Sequence, residues 1–179
     1  MNRYVVLLRG IGPATHAAMP LGELAQRCRN AGFGEVTNIG NTGNLVLQSD
    51  KPQAAVEAAI GSEIKRFGLA TEVFTRTARQ FAKLIALAPF AEAAKDHPQR
   101  VGVCFFHKDP HWPEAYRNYA GPERLAMFSN HLIVDYGAQL LVSRLTIERT
   151  VGAHMTQRNW SSILRIASAL DLEQGDGPD

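Results

Sequence analysis

Several absences narrow this chain before anything present in it does. Its 179 residues hold two cysteines, Cys28 and Cys104, and neither stands in a Cys-x-x-Cys pair or in Cys/His metal spacing. A disulfide framework and a spelled-out zinc module are thereby excluded, and two buried, reduced thiols in a cytoplasmic protein are the expectation. No stretch approaches the ~18 consecutive apolar residues of a membrane span, and "MNRYVVLLRG" offers a single charge before a very short apolar run, so no export signal or bilayer anchor is expected. Basic and acidic residues nearly cancel, 19 against 17, and a net charge of +2 makes no electrostatic case for nucleic acid or membrane. The runs "YVVLLRG" and "LVLQS" do not supply the surface aromatics that stack on RNA bases. "GIGPATHAA" lacks the glycine spacing and the lysine of a phosphate or dinucleotide loop, and Ser143 lacks the Gly-x-Ser-x-Gly setting of a hydrolase nucleophile. His107, His111 and His131 read as solvated loop residues rather than zinc ligands. No metal and no cofactor is expected.

A 45% apolar fraction does supply a core. "RYVVLL" is a buried strand leaving into the loop "RGIG", and "MPLGELAQRCRNAGF" is a helix with Pro20 at its first position and Gly32 at its stop. "GEVTNI" and "NLVLQS" flank the turn "NIGNTGN", where Gly43 provides the positive φ of a hairpin. The next helix has Asp50 as its cap, Pro52 in its first turn, an inward stripe of Val56, Ile60, Ile64 and Phe67, and Gly68 at its end. "TEVFTR" closes the series as a strand. A helix over 78–88 follows, with Thr77 and Gln80 as a capping box, Phe81, Leu84, Ile85 and Leu87 inward, and Pro89 as its stop.

The chain then begins again. "RVGVCFF" is a strand, "PEAYRNYA" a short helix, and "RLAMF" and "HLIVDY" two strands around "SN". "LLVSRLTIERTVG" is expected to carry a last strand into a helical turn, and "TQRNWSSILRIASAL" to form an amphipathic helix capped by Thr156. The β-α-β-β-α-β order implies an α+β fold of two ferredoxin-like halves with antiparallel sheets, packed as one unit. The expected division is 1–76, a connecting segment 77–97, a second half 98–172 and a disordered tail 173–179.

Three stretches together, "LLRGI" at 7–11, "TGNLV" at 42–46 and "SRLTIE" followed by "TQRNW" at 143–160, resemble the bacterial family known as domain of unknown function 1697. Members of that family show Leu-Arg-Gly-Ile-Asn with a Gly-Gly-Lys loop, a Gln-Ser-Gly-Asn hairpin, a Ser-Lys-Leu segment and Thr-x-Arg-Asn-Trp. The resemblance runs from residue 1 to about 172 and implies a pair of ferredoxin-like halves but no reaction. This chain departs from the pattern in two places. It has Gly12-Pro13-Ala14-Thr15-His16 where the lysine loop stands, and Asn41-Thr42 in place of Gln-Ser.

In a sheet of order 4-1-3-2 the exit of the first strand lies beside the start of the third, so Arg9 and Gly10 are expected beside Asn41, Thr42 and Asn44. Glycine-rich backbone next to a cation favours an anion. The alternative is that Arg9 only hydrogen-bonds the hairpin's carbonyls. Ser143 and Arg144, and Arg158 and Asn159 in a first helical turn, are the other candidates; for Arg158 a structural ion pair with Glu148 stands beside ligand binding. The functional expectation is binding of a small anionic ligand or a nucleotide at a shared Arg/Asn/Gly-rich cleft. The alternatives are a hydrolase or transferase using the same edge, and a structural or interaction module with no ligand. Whether the chain is an enzyme, and its oligomeric state, are left open by the sequence.

Overall fold

The structure, a computed structural model, describes residues 1–172; the tail expected to be disordered lies outside the described residues. The fold is α+β with two four-stranded antiparallel sheets. The chain divides into two compact units, Met1–Ala86 together with the segment from Leu164 onward, and Leu87–Ile163.

The first unit runs β1 (Asn2–Leu8), α1 (Pro13–Ala18), α2 (Leu21–Asn30), β2 (Gly34–Ile39), β3 (Asn44–Ser49), α3 (Gln53–Lys65), β4 (Val73–Thr77) and α4 (Ala78–Leu87), with sheet order β2-β3-β1-β4. Alternation along β1 sends Tyr4, Val6 and Leu8 to one face, where they pack with Leu45 and Leu47 of β3, Leu24, Ala25 and Cys28 of α2, and Val56, Ile60 and Ile64 of α3. On the opposite face Val5 pairs with Val46 and Arg76, and Leu7 with Asn44 and Phe74; all six are buried.

Two local expectations are corrected in this unit. The loop expected after β1 is present at residues 9–12, but the stretch beyond it, where the resembled lysine loop would stand, is a short helix: Pro13 fixes the first helical φ, Gly12 caps it in extended conformation, and His16 N–H reaches Gly12 O at 2.9 Å. It buries no residue, so it carries no apolar period to read. The cap of α3 is Pro52 (ψ 154°), not Asp50, because a residue before proline is barred from helical backbone and the helix cannot start ahead of Lys51. Asp50 instead pairs with the terminal amine of Met1 at 3.2 Å. In α4, Phe81 and Leu84 are buried as expected, but Leu87 is 43% exposed.

The second unit runs α5 (Ala91–Asp96), β5 (Val101–Phe106), α6 (Glu114–Arg117), β6 (Arg124–Phe128), β7 (His131–Asp135), α7 (Ile147–Val151), β8 (Met155–Asn159) and the start of α8 (Trp160–Ala169), with sheet order β6-β7-β5-β8. Cys104, Phe106, Leu132, Val134 and Tyr136 form one buried face with Tyr116 of α6 and Ile147 of α7. The principal correction lies here: "TQRN" is strand β8, paired with β5 from Gly102↔Asn159 to Phe106↔Met155, and not the first turn of a helix. Its inward residues, Thr156 and Arg158, are polar, so no apolar alternation marks it. Thr156 is therefore no cap; Asn159 takes that role, its Oδ1 accepting Ser162 N–H at 2.9 Å. "LLVSRLTIERTVG" holds no strand: after a 3-10 turn at Gly137–Gln139 it forms a loop and then α7.

The last turn of α8 is counted with the first unit. There Arg3 donates to the carbonyls of Ala169 (2.8 Å) and Leu170 (2.9 Å), a cation on the carbonyls that a helix end leaves unpaired.

Candidate functional site

Of the nine residues singled out in the sequence, Arg9, Gly10, Asn41, Thr42 and Asn44 lie in the first unit and Ser143, Arg144, Arg158 and Asn159 in the second.

The first group does gather at one end of its sheet. Leu8 N–H donates to Gly43 O at 2.8 Å, and Leu7 pairs with Asn44, so the exit of β1 and the β2–β3 turn are neighbours. Gly10, Gly40 and Gly43 all hold positive φ. The polar groups of the turn are largely engaged with one another. Asn44 Nδ2 donates to Ile39 O (3.1 Å) and Thr42 Oγ1 (2.9 Å), Asn38 Nδ2 to Gly40 O (2.9 Å), and Thr15 Oγ1 to Gly10 O (3.1 Å). His16, in the place of the lysine in the resembled motif, sets Nε2 against Asn41 O at 2.6 Å. Arg9 is half-buried, and its backbone N–H is bonded to Glu72 O at 3.0 Å.

The second group separates. Along β8, Gln157 projects to the helix-covered face, where its Oε1 accepts from Tyr136 Oη at 2.9 Å and contacts Cys104 Sγ at 3.4 Å. Arg158 therefore projects to the other face, beside Val103, with Nη1 on Thr156 Oγ1 and Gln157 O, both at 2.8 Å. Burial pushes its guanidinium down to about 10, which leaves it charged at neutral pH. Glu148, the partner weighed for it in the sequence, accepts Met155 N–H at 2.8 Å.

Ser143 and Arg144 lie on the helix-covered side, at a cavity of about 430 Å³ in which Arg144 is among the lining residues. Its walls are Ala115, Tyr116 and Tyr119 from α6 and its exit, Pro122 and Glu123 before β6, and Gln139, Val142, Leu145, Thr146 and Thr150 around the loop into α7. The loop is built by local bonds. Asp135 Oδ1 accepts Gly137 N–H (3.0 Å), Gln139 O accepts the N–H of Val142 (2.9 Å) and Ser143 (2.7 Å), and Ser143 Oγ accepts Leu145 N–H at 3.3 Å. The same Ser143 hydroxyl donates to Glu123 Oε1, while Tyr119 Oη donates to Glu123 Oε2 at 2.5 Å. Gly121 makes this closure possible, since a Cβ there would lie 2.1 Å from the Tyr119 hydroxyl oxygen.

The electrostatics follow from these contacts. Burial pushes the Glu123 carboxyl up, but the hydrogen bonds from Ser143, Tyr119 and its own backbone N–H together outweigh it and hold the group below its ordinary range. Burial, and then the bond to Glu123, push the Tyr119 phenol up to about 12. Arg144 is exposed and, among the described residues, has no acidic partner. Tyr116 is 5% exposed and, among the described residues, its hydroxyl has no partner in hydrogen-bond geometry; burial pushes its phenol up, and the nearby Thr150 side chain opposes that push.

Tyr116, Tyr119, Glu123, Gln139, Thr146 and Thr150 were not singled out in the sequence. The available signal was local: two tyrosines three apart on a short helix, closed by "AGPE". Among the described residues no group of three or more His, Cys, Asp or Glu is placed to hold a metal, and no helix is long and apolar enough to cross a membrane.

Fold and cavity together define an α+β protein of two antiparallel sheets with a pocket in its second unit that is walled by tyrosines and apolar side chains and carries a few charged and polar groups. Residues 1–130 match the family model described as protein of unknown function (DUF1697), and the chain belongs to that family. It is similar to the solved structure of a conserved bacterial protein, SP0830, from Streptococcus pneumoniae, over 96% of this chain and 99% of that one, with a TM-score of 0.69. Identity is 17%, so that likeness concerns the fold alone. No curated protein matches the chain.

Proposed function

We propose that each unit is a ferredoxin-like half and that the protein binds a small anionic ligand in the pocket of the second half, with Arg144 as the contact for the anion. One observation carries this: a cavity of about 430 Å³, inside the ~300–1,000 Å³ range of small-molecule sites, has at its lining an arginine that no carboxylate among the described residues neutralises. Arginine suits the task because its planar fork matches carboxylate and phosphate. Ser143 belongs to the site as the residue that fixes the loop on either side of Arg144. Gly10, Asn41, Thr42 and Asn44 serve the hairpin, as their mutual hydrogen bonds support.

Binding is favoured over hydrolysis or group transfer. Glu123 is bonded to Ser143, yet a carboxylate held below its ordinary range is a weak base for activating a hydroxyl. The two tyrosines of the pocket are both shifted away from ionisation at neutral pH.

A thermal-shift panel of nucleotides, inorganic phosphate and small carboxylates tests this. A ligand at 100 times its Kd stabilises by about 2.7 kcal/mol, a rise of roughly 5–10 °C in Tm for a chain of this size. Arg144→Ala is expected to abolish the shift at little cost in stability, because the side chain is exposed. A wild-type shift that survives Arg144→Ala would move the site elsewhere, and no shift at all would favour the structural alternative.

A further inference from the structure

Glu123 poses a separate problem of charge. It is 5% exposed, and its carboxylate accepts from two neutral hydroxyls, Ser143 and Tyr119. Among the described residues it has no cationic partner, and the neighbouring Arg124 is committed to Asp135 at 2.5 Å. A buried anion without a cation is costly, and hydroxyls neutralise none of its charge. The backbone N–H of Glu123 itself is a third donor, which still leaves the carboxylate acceptor capacity for one more. Arg144 lines the same cavity but is not in ion-pair contact with Glu123, so among the described residues one pocket presents a carboxylate and a guanidinium that no opposite charge neutralises.

We propose that the ligand is a small zwitterion of the amino-acid type, its ammonium group received by Glu123 and its carboxylate by Arg144. This rests on the reading of the pocket as a binding site. The two charges complement the two lining groups, and Ala115, Pro122 and Leu145 supply apolar wall for a short side chain. The Tyr116 hydroxyl, buried and unpartnered, adds a third polar contact. A polyphosphate fits less well, because its charge would be brought up to the Glu123 carboxylate, and like charges across a contact are penalised.

The full-length protein is titrated calorimetrically with the common L-amino acids, with their methyl esters as amine-only probes, and with acetate, succinate and inorganic phosphate as anion-only probes. Amino acids are expected to bind and both half-probes to bind more weakly. Glu123→Gln keeps the shape and hydrogen-bonding capacity but removes the charge. It is expected to weaken amino-acid binding about 10–100-fold, the range for a lost hydrogen bond to a charged group. Tyr116→Phe, which leaves Glu123 intact and removes an unsatisfied buried group, guards against a misfolded Glu123 variant and is expected to weaken binding with the fold unchanged. If anion-only probes bind in an Arg144-dependent manner and amino acids bind no better, the zwitterion is overturned and the pocket's anion binding stands. Amino-acid affinity unchanged in Glu123→Gln overturns it as well. If none of the probes binds, the zwitterion is overturned, and the nucleotides of the thermal-shift panel decide whether the anion site falls with it.

Discussion

Gly43 is the glycine of the first unit where an added side chain has least room. Its φ of +72° already selects against any L residue, and a Cβ built on it would stand 2.5 Å from Ile11 Cγ1 and 2.9 Å from Leu8 Cβ. Gly10 shares the conformation (φ +70°) but has nothing within 4 Å of the same position. The pair separates two costs that usually travel together. Gly10→Ala is expected to lose about 1–2 kcal/mol, the left-handed penalty alone. Gly43→Ala adds overpacking of about 1–3 kcal/mol, because Leu8 is core and its N–H is tied to Gly43 O. Urea unfolding of the two variants measures the difference, and equal losses would show that Ile11 and Leu8 give way freely. At this scale the hairpin glycine was legible in the sequence, since "NTGN" between two apolar runs demands a positive φ. The reason Gly43 cannot be replaced was not, because Ile11 reaches it across the sheet end. The pocket shows the same limit. Ser143 and Arg144 stand out only through the resemblance, whereas Glu123 meets Ser143 across 20 residues of chain and Tyr119 joins them through Glu123, a pairing that no local period announces.

Both units solve the passage from last strand to following helix in the same way: the final residue of the strand is also the helix cap. In the first, Thr77 N–H donates to Gln80 Oε1 at 2.8 Å and Gln80 N–H to Thr77 Oγ1 at 3.1 Å, a reciprocal capping box. In the second, Asn159 Oδ1 takes Ser162 N–H. Each cap follows a buried arginine, Arg76 or Arg158, whose strand neighbours are polar: Thr75 and Thr77, Gln157 and Asn159. Thr77→Ala and Asn159→Ala are each expected to cost about 1 kcal/mol, while Thr77→Ser and Asn159→Asp keep the acceptor oxygen and most of the stability. Denaturant midpoints of the four variants decide it; an Asn159→Ala loss no larger than that of Asn159→Asp would show that the oxygen is not what starts α8. The first cap was readable because a capping box is a four-residue motif. The second is hidden, and the sequence points to Thr156 instead, because the strong helical period beginning at Trp160 absorbs a strand whose inward side chains are Thr156 and Arg158. Sequence periodicity reports apolar burial, so elements that bury polar groups, or like α1 bury nothing, escape it.

Each unit carries one buried free thiol, Cys28 in the first and Cys104 in the second, so each reports on the unit that holds it. Burial, then the charge of Glu63, pushes Cys28 from 9.0 up to about 11, with Arg29 opposing; burial and Glu148 push Cys104 up further. Between the unfolded and folded pKa the unfolded chain has lost a proton that the folded chain keeps, so stability falls with rising pH in that interval. The thiol contribution is thus complete below about pH 9 and declines from there to about 11 for Cys28 and beyond for Cys104. Arg76 and Arg158 act with the opposite sign. Burial pushes both down to about 10, which makes their charge a cost to the folded state that is relieved only above that value. From about pH 9 the thiols therefore lead the change, and the buried phenols of Tyr119 and Tyr136, also pushed up from about 10, join them in the same direction as pH 10 is approached, so the thiol share is read from the difference between wild type and Cys28→Ala. Unfolding free energy is expected to fall over this range, and Cys28→Ala should flatten the fall by up to one proton's worth of slope. In the native protein at neutral pH a thiol reagent should react slowly with both cysteines, since a buried neutral thiol offers little thiolate, while the unfolded chain gives two rapid equivalents. Rapid native labelling of either cysteine, or a slope unchanged by Cys28→Ala, would mean that the helix-covered face holding that thiol is open to water, and the burial that sets these pKa values would be wrong for that unit.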